Sequence, residues 1–341
     1  MKNGLKATLI LLVTAVLSVG SVHAQDPQYT QFYSNQLMLN PAFAGAALGP
    51  RVVLNYRNQW ATIPGSFRQF AASYDAPLQF GKSLQGWGVY IQNDVAGEGN
   101  LNKLDLVANY SIAVPLRASY HKNQHYLRLG VGGGVQQASL DFFKLRFGDQ
   151  IDPRDGFVNQ TQEIVPTNLT DYRVDFNTGA AYYNKYAFAS FSVHHLTEPT
   201  QSFIDETLPP DSVKVDASLP RRYTFTGGVN LEAGPRNDPE SVLITPVVRY
   251  RQQREFTQID AGTYVTIKPI VFGLWYRHQD AVAALVGYKE GIFSIGYSYD
   301  YTISTLRNAN TGGSHEIAIV MEFEREKKTT FKHRDVPCPR F

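Results

Sequence analysis

The chain has 341 residues, with 32 Lys and Arg against 30 Asp and Glu and a formal net charge of +2, so it lacks the basic excess that nucleic-acid binding requires. A single Cys excludes an intrachain disulfide, and 20 Tyr, 20 Phe and 27 Gly against three Met is the composition of an aromatic, glycine-rich β protein. Past residue 24 no apolar run reaches the roughly 18 residues that a membrane helix needs, so any membrane span has to be made of strands.

Residues 1–24 begin with Lys2 and Lys6, continue through an apolar run from Leu9 to Val19 broken only by Thr14 and Ser18, and end in Val22-His23-Ala24. This is the pattern of a secretory signal peptide cut after Ala24. The apolar run is too short to anchor the chain, and position 25 is Gln rather than the Cys of a lipoprotein. Residues 25–49 are polar, aromatic and proline-containing and show no alternation, so they are expected to form a plug or periplasmic cap outside the barrel wall. Asp26, Pro27, Gln28, Asn40, Pro41, Phe43 and Gly45 are its candidate plug or partner contacts.

From residue 50 to 325, fourteen segments alternate: 50–60, 66–76, 85–94, 101–115, 123–138, 170–183, 185–196, 220–233, 240–251, 254–268, 270–279, 280–289, 291–302 and 314–325. An even count permits a closed, all-β, transmembrane antiparallel barrel. Closure is needed because an open edge in lipid strands backbone donors and acceptors at several kcal/mol each. A soluble β-sandwich would use the same aromatic residues as core.

The alternation assigns faces. Phe293, Ile295, Tyr297, Tyr299 and Tyr301 point one way, toward lipid, while Ser294, Gly296, Ser298 and Asp300 point inward. Tyr172, Val174 and Phe176 oppose Arg173, Asp175 and Asn177 in the same manner. The scheme also turns Arg57, Arg128, Arg173, Arg222, Arg249 and Arg277 inward, as it must, because a charge in mid-bilayer costs about 2–4 kcal/mol. Joints after even-numbered strands are mostly tight, whereas those at 139–169, 197–219 and 303–313 are long. Outer-membrane barrels keep short turns in the periplasm, from which a periplasmic amino terminus is expected. Prolines mostly mark strand limits, Pro77 among them, and Pro246 is expected at a bulge.

Several clusters have plain readings. Asp149, Asp152 and Asp155 lack the spacing of a calcium loop and suit a turn at Asp152-Pro153. His194 and His195 should face opposite sides of a strand, which argues against a two-ligand metal site. In residues 313–317, Gly313 opens the last strand, His315 faces outward and Glu316 faces the lumen, where Arg277 or another inward arginine neutralises it. Residues 326–341 form a tail in which Pro337 and Pro339 prevent a central strand. No catalytic motif occurs, and no cofactor is expected.

Three stretches together resemble the PorP/SprF family of Bacteroidota outer-membrane proteins. They are the start at Asp26, Pro27 and Gln28 with the ending Leu39 to Gly45, the Gly313, His315, Glu316 motif, and the closing Cys338, Pro339, Arg340 and Phe341. The resemblance spans nearly the whole mature chain and implies an accessory barrel of the type IX secretion system. Such a barrel assists export or surface retention of a partner protein with a type IX carboxy-terminal domain, for example a gliding adhesin. It implies contact with periplasmic or outer-membrane secretion components and with membrane lipid, with the amino-terminal segment and the tail facing the periplasmic machinery. The competing reading is a channel for small anionic or amphipathic solutes through the arginine-rich lumen.

Overall fold

Fourteen stretches of two-residue alternation become fourteen strands, and in the computed structural model each pairs antiparallel with the next. The structure describes residues 26–323 apart from 81–82, 117–124, 153, 164, 166–168, 201–202, 204–217, 235–241 and 305–310. The predicted signal peptide and the tail with Cys338, Pro339 and Phe341 lie outside the described residues.

The strands are β1 (Arg51–Gln59), β2 (Phe67–Phe80), β3 (Ser83–Ala96), β4 (Leu101–Pro115), β5 (Tyr126–Ser139), β6 (Thr170–Tyr183) and β7 (Ala187–His194). They continue as β8 (Arg222–Val229), β9 (Val242–Gln253), β10 (Phe256–Ile267), β11 (Ile270–Arg277), β12 (Ala281–Glu290), β13 (Phe293–Thr302) and β14 (Ser314–Glu322). The ring closes where β1 pairs with β14, Arg51 opposite Glu322 and Gln59 opposite Ser314. Closure leaves no open edge to lipid, which the backbone's polar groups require.

The faces follow the alternation. Phe293 and Ile295 are 56% and 52% exposed on the outer face, while Ser298 and Asp300 are buried within. Tyr172, Val174 and Phe176 are exposed, and Arg173, Asp175 and Asn177 are buried. This is the pattern that lipid outside and a polar interior impose.

Some boundaries differ from the expectation. β2 runs through Pro77 to Phe80 and β3 starts at Ser83, so this joint is as tight as those at 268–269 and 291–292. Pro77 is tolerated because β1 pairs with β2 only as far as Asp75 and leaves the proline on an unpaired flank. Pro246 marks no bulge. The register is constant from Gly228 opposite Val247 to Leu231 opposite Ile244, and the break is at Asn230, after which Leu231–Ala233 continues the line of β8.

One mouth of the barrel carries the tight joints, including 268–269 and 291–292, together with the start of β1. The other carries the long joints at 140–169, 195–221 and 303–313. Inside, the described amino-terminal residues 26–46 are almost wholly buried. They contain one helical turn, Gln36–Leu39, and a 3-10 turn, Pro41–Phe43. Among the described residues no helix is long and apolar enough to cross a membrane.

Candidate functional site

The lumen is organised by charge. Arg249 donates through Nε to Asp260 at 2.7 Å, and Arg277 lies 3.6 Å from Asp260 and 3.3 Å from Asp300. Arg57 reaches Asp300 at 2.8 Å and Glu316 at 3.2 Å. The contacts thus run in one chain, Arg249 to Asp260 to Arg277 to Asp300 to Arg57 to Glu316, so that each of these six buried charges has an opposite one beside it. An unpaired buried charge would be far costlier.

The amino-terminal segment docks onto this belt. Glu316 accepts from the backbone amides of Thr30 at 2.7 Å and Gln31 at 3.0 Å, and from Asn55 at 2.9 Å. The Thr30 hydroxyl donates to Asp300 at 2.6 Å and accepts from Arg57 at 2.8 Å and Arg277 at 3.1 Å. Glu316 therefore serves as an anchor for the segment, and its cation is Arg57, which lies directly opposite on β1. Of the inward arginines expected to neutralise Glu316 it is thus Arg57 that does so, while Arg277 is engaged by Asp260, Asp280 and Asp300.

The rest of the motif is consistent with this role. Gly313 has φ +70 and its carbonyl accepts from Trp60, while a Cβ there would collide with the Asp300 carbonyl. His315 lies on the outer face, 2.8 Å from the Tyr297 hydroxyl.

Beyond Gln31 the segment packs by aromatic contact. The Phe32 ring stands edge-on to Trp275 at 5.0 Å and under the Arg249 guanidinium at 4.1 Å, and Tyr33 meets Tyr264 at 5.3 Å. The stretch from Leu39 to Gly45 then crosses β7, β6, β5, β4 and β3. Asn40 donates to the carbonyls of Ala180 at 3.1 Å and Phe191 at 2.9 Å, and its side chain accepts from Ala42. Pro41 and Phe43 are buried in the turn that follows.

Two strand glycines make this crossing possible. A Cβ on Gly179 would overlap the Asn40 amide, and one on Gly130 would overlap the Ala42 backbone nitrogen. Arg128 and Ser111 both donate to the Ala44 carbonyl, at 2.8 and 2.7 Å. The Gly45 amide donates to Asp75 at 3.0 Å, and Arg51 holds the same carboxylate.

The first described residue is fixed at the other end. His195 donates to Asp175 at 2.7 Å and to Asp26 at 2.8 Å, and Arg222 reaches Asp26 at 2.6 Å. Because both partners of His195 are carboxylates that only accept, the ring is an imidazolium. It lies just past β7, on the long-loop side; burial acts to lower its pKa, but Asp26 and Asp175 push it up to about 9.

The expectation that His194 and His195 face opposite sides is corrected. Both are buried, because β7 ends at His194 and His195 adopts φ +58, which turns its ring back toward the lumen. Pro27 and Gln28 are half-buried beside a cavity of about 80 Å³ near this mouth. Among the described residues no group of three or more His, Cys, Asp or Glu is placed to hold a metal. In the loop after β5, Asp152 accepts from the amides of Arg154 and Asp155, the geometry of a turn.

The expectation of an amino terminus on the tight-turn side is corrected: the segment crosses the lumen from Asp26, among the starts of β4 and β8 and the ends of β7 and β9 at the long-loop mouth, to β1 at the tight-turn mouth. No period in the sequence reports this path. Its signals are Asn40, Pro41 and the inward glycines, none of which means anything until the strands are placed.

A closed antiparallel ring, apolar and aromatic outside, charged inside and filled by its own amino-terminal residues, defines an outer-membrane β-barrel. Within that class, the model of the type IX secretion system membrane protein PorP/SprF matches residues 21–321, and the chain belongs to that family. Membership implies association with the secretion machinery. No curated protein matches the sequence.

Solved barrels are only distantly similar. BamA from Haemophilus ducreyi lacking POTRA domains 1–3 is 8% identical, covering 81% of this chain and 70% of that one, with a TM-score of 0.37. A mutant porin of Rh. blastica is 5% identical over 81% of this chain and 99% of that one, with a TM-score of 0.32. The monoaromatic hydrocarbon channel CymD is 10% identical over 86% and 93%, with a TM-score of 0.35.

Proposed function

We propose that the protein is a binding component of the type IX system that assists export or surface retention of one or a few partner proteins bearing the type IX carboxy-terminal domain, a gliding adhesin being one such partner. The observation that carries this reading is the filled lumen. Residues 26–46 bond to the wall through Glu316, Asp300, Asp75, Arg128 and His195, so the barrel is a scaffold rather than a conduit for cargo. In this reading residues 25–49 are a plug, the mouth with the long loops faces outward, and residues 326–341 are a periplasmic tail that meets the machinery. The protein supplies binding surface rather than catalysis and uses no cofactor.

Loops on a rigid scaffold are where recognition concentrates, and those at 139–169 and 197–219 are longer than connection requires. Shortening both while the barrel assembles normally should abolish surface display of the partner protein and leave the rest of the surface proteome intact. An unchanged surface proteome sinks the reading.

The inward Arg51, Arg57, Arg128, Arg173, Arg222, Arg249, Arg251 and Arg277 favour a second reading, a channel for small anionic or amphipathic solutes. It requires the segment to leave the lumen. Steady anion-selective conductance of the purified protein in planar bilayers would select it.

A further inference from the structure

The loop after β5 is not a free strand of chain above the barrel. The Asp141 amide donates to the Gly99 carbonyl at 2.9 Å, and the Gly97 amide donates to the Gly65 carbonyl at 3.0 Å, so three successive joints at the long-loop mouth are bonded to one another. Within the loop, Phe142 is buried against Phe147 at 5.2 Å, and the Gln150 side chain accepts from the Phe147 amide. A two-residue hairpin, Ile151–Asp152 with Gly156–Phe157, completes a fixed platform.

This platform presents what a folded loop normally hides. Phe143 is 79% exposed and Phe157 is 53% exposed, and Ile151 and Val158 are exposed beside them. Between them and the joints after β1 and β3 runs an open groove of about 730 Å³. Its charged lining is Arg68, Lys144 and Arg146 against Glu98. Lys144 is paired with Asp141, whereas Arg68 and Arg146 have no ion-pair partner among the described residues. The Arg146 guanidinium lies over the Phe157 ring at 5.1 Å, so cation and aromatic face stand together in the groove lining. Aromatic side chains flanked by unpaired guanidinium groups are the composition that anchors a partner through apolar burial and accepts carboxylates at its rim.

We propose that this groove binds an extended, acidic segment of the secreted partner that carries aromatic or large apolar side chains between its carboxylates. The proposal rests on the secretion reading and specifies the surface and the chemistry of the partner. The complementary charge speeds encounter and weakens with salt, and Phe143 and Phe157 supply the burial.

The test uses the full-length barrel in detergent and fluorescent peptides of about ten residues. One alternates Asp with Phe and Gly, a second has Lys for every Asp, and a third has Ser for every Phe. The first peptide should bind at least about tenfold tighter than the other two, and in 1 M salt it should lose its advantage over the Lys peptide while keeping that over the Ser peptide. The double variant Arg68→Glu, Arg146→Glu, checked for heat-modifiable migration, should exchange its preference and favour the Lys peptide. Phe143→Ser should weaken the first peptide without altering the charge preference. Equal binding of all three peptides, binding of none, or a double variant with unchanged preference overturns the groove assignment. If display of the partner is lost on loop shortening while the peptides are not discriminated, the secretion reading stands and the groove fails. If the peptides are discriminated but display is unaffected, the reverse holds.

Discussion

Replacing Glu316 by Ala should release the amino-terminal segment from the wall while the barrel stays closed. Glu316 is 0% exposed and its partner Arg57 is 1% exposed, so solvent does not screen the pair. Removing one member of a buried ion pair costs about 3–5 kcal/mol, and the lower figure applies because Arg57 keeps Asp300. Each of the Thr30 and Gln31 amides left without an acceptor adds about 1–3 kcal/mol, less where water enters. These contributions share one carboxylate and do not sum, so a cost of about 4 kcal/mol is reasonable, or roughly 10³-fold in a local opening equilibrium. Hydrogen exchange read by mass spectrometry on the protein in micelles measures this at the two amides. Exchange at residues 30–31 should quicken by about three orders of magnitude in Glu316→Ala. It should quicken by less in Glu316→Gln, which keeps an acceptor oxygen, and strand exchange should be unchanged in both. Exchange within about threefold of the parent protein in both variants would refute the anchoring role.

Three other outcomes are expected. Ile295→Arg puts a charge on the lipid face at about 2–4 kcal/mol and should reduce assembled, heat-modifiable barrel far more than Ser294→Arg on the inner face; equal tolerance would show that β13 is out of register. His195, raised to about 9 in the folded protein, contributes stability that is complete below about pH 6.5 and is lost as pH rises through 9. Protease protection of residues 26–29 should decline over that window, and His195→Gln should remove the decline; a flat profile in the parent protein would contradict the Asp26 contact. An epitope inserted between Ala24 and Asp26 should be labelled on intact cells as readily as one at Gly148 in the loop after β5, and protection of the first with exposure of the second would contradict the direction of the segment.

The wall of the barrel was legible because lipid outside and charge inside impose a period of two. Residues 293–301 and 172–177 therefore declare their faces without any partner in view. What fills the barrel was legible only as something other than strand. Residues 26–46 follow no period, and their path depends on which inward side chains the ring brings to one level. The same limit left the partner of Glu316 open among the inward arginines. Arg57 and Arg277 are both inward arginines, and only the pairing of β1 with β14 sets Arg57 opposite it. His195 escaped the alternation because a positive φ at the end of β7 reverses its side, and no neighbouring glycine announces that bend. The outer groove had no signal of its own, since Phe143 and Phe157 read equally well as loop core.

The direction in which the segment runs carries a consequence for biogenesis. In the proposed orientation, Asp26 is fastened at the outer mouth by His195 and Arg222, two residues past the predicted cleavage site. If residues 1–24 are the leader proposed from sequence, a precursor still held by them at the inner membrane keeps Asp26 a full periplasm away from those partners. Its lumen then lacks Thr30 to bridge the carboxylates of Glu316 and Asp300, on the two strands before the seam that joins the ends of the chain. In that reading removal of the leader lets the segment enter the lumen, and a chain that escapes the signal peptidase closes its ring through the β1–β14 ladder around a lumen that its own amino terminus has not filled.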